Sequence, residues 1–144
     1  MVNVGDKAVT KRSAKARSIV VLDDQIMENL ENDDIHTKKG PVFQTAITAG
    51  IMAAKKTAEL IPLCHPLALE NCKVDINVGD NSEVIIDCEV TLSGKTGVEM
   101  EALTGASVAA LTIYDMCKAF SHHIVIKETS LMEKTGGKND FRAE

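Results

Sequence analysis

The chain has 144 residues, 44% hydrophobic and 26% charged, and a formal net charge of −5. That length and balance fit one globular domain, residues 1–144, and exclude a disordered chain. No apolar run is long enough to cross a membrane, and the acidic balance argues against a general nucleic-acid binder.

Residues 1–9 carry no periodic pattern and are expected to be flexible. From Thr10 to Leu22 the chain alternates, which predicts a strand with Thr10, Arg12, Ala14, Ala16, Ser18, Val20 and Leu22 on one mostly small-residue face. Asp23 can cap a short helix carrying Ile26, Met27 and Leu30. Residues 33–41 read as a polar loop. Phe43, Ala46, Ile47, Gly50, Ile51, Ala54 and Ala58 recur at helical spacing, predicting a helix to about residue 59. Pro62 and Pro66 then force a stiff, non-helical loop around Cys64 and His65. Alternation predicts a hairpin from Cys72–Val78 and Val84–Leu92, joined by a turn at Gly79-Asp80-Asn81-Ser82.

A long helix over Gly97–Lys118 follows, with two apolar stripes: Met100, Leu103, Leu111 and Tyr114, and opposite them Ala102, Ala106, Ala109, Ile113 and Met116. Glu101, Thr112 and Asp115 share a narrow polar wedge between them. Such a helix packs on its own domain and on a partner. A last strand starts at Ile124, and residues 135–144 are expected to be a flexible tail. This order is strand, helix, strand, strand, helix, strand. It predicts an α+β, ferredoxin-like split βαβ: a four-stranded antiparallel sheet with helices packed on one face. The other face then needs cover, which oligomerisation would supply.

The four cysteines, Cys64, Cys72, Cys88 and Cys117, include no Cys-x-x-Cys pair, and the N-terminus lacks a signal-type apolar segment. Free thiols and a cytoplasmic location are expected. Gly94-Lys95-Thr96 imitates the end of a phosphate loop, but Glu89 stands where that loop needs glycine. Cys64 and His65 with His122 and His123 lack zinc-site spacing, so no metal is expected. Residues 1–17 hold Lys7, Lys11, Arg12, Lys15 and Arg17 against Asp6 alone. That excess is either a solvated tail or a seat for a small anion. Asp115 and Lys118 are neighbours on a helix, as a surface salt bridge or a proton-transfer pair. Glu101 and Asp115 are fourteen residues apart, about 21 Å along a helix. One small ligand cannot touch both in one chain. Either the ligand is extended or the sites are shared between subunits.

Two long segments carry a family resemblance. Lys56-Thr57-Ala58-Glu59-Leu60-Ile61-Pro62-Leu63-Cys64-His65-Pro66-Leu67 resembles the signature loop of the cyclic pyranopterin monophosphate synthase family, the molybdenum cofactor biosynthesis protein C family. Thr96 to Thr104 and Leu111 to Lys118 resemble its second signature, and both chain ends are similar too. The resemblance implies a lyase that converts cyclic dihydroguanosine triphosphate to cyclic pyranopterin monophosphate and diphosphate, with no cofactor. It implies a ferredoxin-like fold and a homohexamer, a trimer of dimers, with sites at the dimer interface. Asp115, Lys118 and Lys39 match the catalytic positions. Leu63, Cys64 and His65 match one substrate-binding strip, and Glu99, Met100 and Glu101 the other. Arg12 and Lys134 match basic residues that would hold phosphates. The chain departs from the family pattern at Asn3, Thr37-Lys38, Pro41, Gly105 and Asn139-Asp140.

Overall fold

The computed structural model describes residues 1–144. Thr10–Val21 forms strand β1, and its alternation is realised: Ala14, Ala16, Ser18 and Val20 are buried on one face. Asp23 caps the short helix α1 (Asp24–Met27) by accepting from the Ile26 N–H, as its position implies. Leu30, expected in that helix, lies beyond it and is exposed. It starts β2 (Leu30–Glu31), which pairs with β3 (Asp34–Thr37), which pairs with β4 (Gly40–Pro41). Residues 33–41 are therefore largely a small sheet rather than a loop. The turn between β2 and β3 has both central residues, Asn32 and Asp33, at positive φ (52° and 63°). That is the mirror-image turn whose twist matches a hairpin.

Helix α2 (Val42–Lys55) has no cap from its own preceding residue, Pro41. Asp34 supplies one from the neighbouring strand: its Oδ1 accepts from Phe43 N and Ile35 N, both at 2.7 Å, and its Oδ2 from Gln44 N at 3.3 Å. A buried carboxylate at a helix N-terminus is satisfied three times over and locks the small sheet to α2. The expected helix to residue 59 is broken at Lys56 and resumes as α3 (Thr57–Leu60). The proline-bounded loop follows.

Strands β5 (Asn71–Val78) and β6 (Glu83–Gly94) form the hairpin. Helix α4 (Glu99–Cys117) connects β6 to β7 (Val125–Thr135), and β8 (Phe141–Arg142) folds back onto β7. The main sheet is thus five-stranded, in the order β5-β6-β1-β7-β8, rather than four-stranded. All its pairings are antiparallel. The class is mixed α+β. The extra strand belongs to the tail that periodicity leaves blank, because two paired residues give no pattern to read. Gly136, at φ +87°, makes this return possible: a Cβ there would collide with the Lys11 carbonyl.

The core lies between the sheet and the helices α2 and α4. One expected stripe of α4, Ala102, Ala106, Ala109, Ile113 and Met116, is buried; the other leaves Met100 and Leu111 exposed. The small residues let the helices nearly touch. A Cβ at Gly50 would meet the Gly105 carbonyl at 2.9 Å, and one at Gly105 would meet Cys88 Sγ at 2.6 Å. Gly105, costly by helix propensity, is here a packing requirement: the bulk of Cys88 takes the space that an alanine methyl would fill.

The sheet's helix-free face carries ion pairs. Arg17 makes two bonds to Asp87, at 2.8 and 3.0 Å, with Lys15 at 3.6 Å, and Lys73 pairs with Asp75. Ion pairs between β1 and β6 and along β5 suit a solvated surface. Exposed apolar side chains include Met52 and Leu111 on the helices, Leu63 in the loop after α3, and Val78, Val125, Ile126 and Phe141 on the strands. No helix is long and apolar enough to cross a membrane.

Candidate active site

Helix α4 runs from one end of the sheet to the other, and the residues singled out in the sequence gather at its two ends. At its C-terminal end, Asp115 sits between two ammonium groups. Lys39 Nζ donates to Oδ2 at 2.7 Å and Lys118 Nζ to Oδ1 at 2.9 Å. Lys39 comes from the tight turn between β3 and β4. Its N–H donates to the Thr37 hydroxyl, and Gly40 turns the chain at φ +114°. Because Asp34 ties this small sheet to α2, the turn reaches a helix 76 residues away in sequence. The lysine bonds, that of Lys39 first and of Lys118 second, hold the Asp115 carboxyl below the usual carboxylate range. Asp115 is therefore an acceptor and the two lysines are the proton donors. The triad opens on a cavity of about 500 Å³ that Thr37, Lys38 and Phe120 also line. The three side chains are about half exposed in the single chain.

At the N-terminal end of α4, Leu63, Cys64, His65, Glu99, Met100 and Glu101 line one cavity of about 320 Å³. The proline-bounded loop brings the first three there, as its stiffness implies. His65 Nε2 donates to the Val2 carbonyl at 2.7 Å, which fixes its tautomer. Burial, and then the charge of Glu101, push the Cys64 thiol up, so it is a hydrogen-bonding group rather than a nucleophile.

Glu101 is 4% exposed, in contrast to half-exposed Asp115 on the same helical wedge. The difference is tertiary: the loop at residues 63–67 lies over Glu101, whereas Asp115 faces an open cavity. Glu101 forms no ion pair. Burial pushes its carboxyl up, its own backbone N–H offsets part of this, and the neighbouring Glu99 adds to the rise. A folded-state value above the unfolded one means that stability falls as pH rises from the ordinary carboxylate range through the raised value. Glu101→Gln is thus expected to raise the Tm by a few degrees at pH 8, with the gain shrinking in acid. Thermal unfolding across pH checks this; a gain that persists undiminished in acid would point to packing instead of charge.

A second cavity, about 250 Å³, adjoins the first through Thr96, Gly97 and Glu99. Antiparallel pairing builds it: the start of β1 lies beside the ends of β6 and β7. Arg12, Lys134 and the first turn of α4 therefore converge. Arg12 Nε donates to the Gly94 carbonyl at 3.0 Å, and Lys134 pairs with Glu99 at 2.9 Å. Lys7 and Lys138 also line it, two cations that sequence reasoning did not place here. Their signal was legible in the basic excess of residues 1–17 and in the Gly-Gly-Lys of the tail. No three of the His, Cys, Asp or Glu side chains cluster so as to hold a metal ion, and Cys64 and His65 do not meet His122 and His123.

Residues 1–137 match the MoaC family. The chain belongs to that family. Among its relatives, cyclic pyranopterin monophosphate synthase of Xanthomonas axonopodis pv. citri is 51% identical over 99% of this chain and 87% of that protein. The molybdenum cofactor biosynthesis bifunctional protein of Synechocystis sp. is 55% identical over 97% of this chain, which spans 42% of it. Molybdenum cofactor biosynthesis protein 1 of Dictyostelium discoideum is 50% identical over 96% of this chain, which spans only 25% of it. The MoaC-family chain thus corresponds to part of the two longer proteins and to most of the shorter one.

Proposed function

We propose that this MoaC-family chain is a cyclic pyranopterin monophosphate synthase of molybdenum cofactor biosynthesis. In this reading it is a cytoplasmic lyase on a ferredoxin-like scaffold and converts cyclic dihydroguanosine triphosphate with loss of diphosphate. The observation that carries it is the Lys39–Asp115–Lys118 triad: one carboxylate with an ammonium group on each oxygen. Ring opening and rebuilding need protons delivered and taken at several heteroatoms, and the triad sets a carboxylate acceptor beside two ammonium donors. Forming the cyclic phosphate requires a hydroxyl oxygen to attack the α-phosphorus. A P–O bond forms as the hydroxyl gives its proton to a base, the bond between the α-phosphorus and the oxygen bridging to the β-phosphate breaks, and diphosphate carries off the electron pair. The basic cavity of Arg12 and Lys134 suits the developing charge. Buried Glu101, with His65 beside it, suits the N–H edge of a guanine-derived ring.

The two clusters lie at opposite ends of a 19-residue helix, and Glu101 and Asp115 are about 21 Å apart along it. The reading therefore joins the C-terminal cluster of one protomer to the N-terminal cluster of another, within a trimer of dimers. The exposed Met100 and Leu111 stripe favours a partner on that face. Incubation of the purified protein with the cyclic triphosphate tests the activity. One diphosphate and one cyclic monophosphate should appear per substrate consumed; no diphosphate release would overturn it.

A further inference from the structure

The cavity beside Arg12 and Lys134 has no hydrophobic lining residue and is faced by four cations, Lys7, Arg12, Lys134 and Lys138. Of these, only Lys134 makes an ion pair, and its partner is the one carboxylate present, Glu99. A cavity built to receive several phosphate charges gains nothing in affinity from a carboxylate inside it. Yet Glu99 lies there, bonded to Lys134. Its side chain folds back over Gly97, where any Cβ would collide with the carboxylate, so only glycine permits this rotamer. Burial pushes the Glu99 carboxyl up, but the Lys134 hydrogen bond, its own backbone N–H and the charge of Arg12 outweigh that and keep it ionised.

We propose that Glu99 is an internal counter-ion that competes with the substrate's phosphates for Lys134: it yields Lys134 when the triphosphate enters and reclaims it as diphosphate leaves. Lys7 and Lys138 are the added phosphate ligands of this cavity. The proposal rests on the synthase reading for the identity of the leaving group. Its physical basis is that four cations with no internal anion would retain a diphosphate, and slow product release limits turnover. An anion already present lowers affinity for product by the free energy of the ion pair that must be broken.

Inorganic pyrophosphate, titrated calorimetrically into the purified 144-residue chain at low salt, tests this. Glu99→Gln should bind it about tenfold tighter than wild type, as expected for removing one like charge at close range. Gly97→Ala, which keeps the charge but forces it away from Lys134, should also tighten binding. Lys138→Ala should weaken it about fivefold. In turnover, Glu99→Gln should show stronger pyrophosphate inhibition and a lower kcat with no rise in KM. Equal or weaker pyrophosphate binding in both Glu99→Gln and Gly97→Ala, each with unchanged thermal unfolding, overturns the proposal. Should one variant fail to fold, the other decides. The synthase reading fails separately: a wild-type protein inert toward the cyclic triphosphate, whose variants still bind pyrophosphate more tightly, keeps the counter-ion and loses the activity.

Discussion

Replacing Asp115 by Asn is expected to lower kcat by about 10²–10⁴-fold, the usual range for a positioned proton-transfer group, while substrate affinity changes little. The two lysines depend on it differently from a surface ion pair. Each takes a separate oxygen of one carboxylate, and they come from distant parts of the chain. An amide would turn NH₂ toward one ammonium and leave two like charges sharing a single acceptor. Asp115 is half exposed, so folding should be preserved, and an unchanged Tm will separate chemistry from collapse. Because the depressed carboxyl value belongs to the folded chain, the triad's contribution is present above the ordinary carboxylate range. It is lost only as pH falls through the lowered value. If the three groups act as one unit, Lys118→Ala, Asp115→Ala and their double variant should lose similar amounts of rate. Losses that multiply would show independent roles. The measurements are single-turnover rates with binding followed separately.

Mixing two inactive variants should restore activity. A protomer carrying Glu101→Ala keeps the triad; one carrying Asp115→Asn keeps the ring-binding end. If each site takes one end of α4 from each of two protomers, random pairing leaves one site in four with both ends intact, about a quarter of wild-type turnover. Neither variant alone should exceed background. A mixture that stays inactive after subunits have demonstrably exchanged would mean that each chain completes its own site. The basis is distance: the helix between the two ends is continuous over Glu99–Cys117, and no ligand of nucleotide size bends around it.

Much of this site was legible in the sequence. The strands announced themselves by alternation because one face of each is buried and the other wet. Helix α4 announced its two stripes because both are apolar, although only one is buried by the chain itself. The two prolines around Cys64 and His65 gave a loop, and the loop holds both residues beside Glu101. The small three-stranded sheet was not legible, because β2 and β4 have two residues each and show no period. Its consequence is large, since that sheet positions Lys39. Likewise Gly105 reads as a weak helix residue until Cys88 is seen against it.

The sequence by itself determined four of the five strands of the main sheet, the two-sided helix and the identity of most charged groups at the two clusters. Those follow from local periodicity and side-chain chemistry, which need no knowledge of what lies across the chain. Only the tertiary structure decided which charges meet: Asp115 with Lys39, Glu99 with Lys134, and Glu101 with no ionic partner at all. Burial and pairing are properties of the surroundings, and those surroundings come from segments tens of residues away.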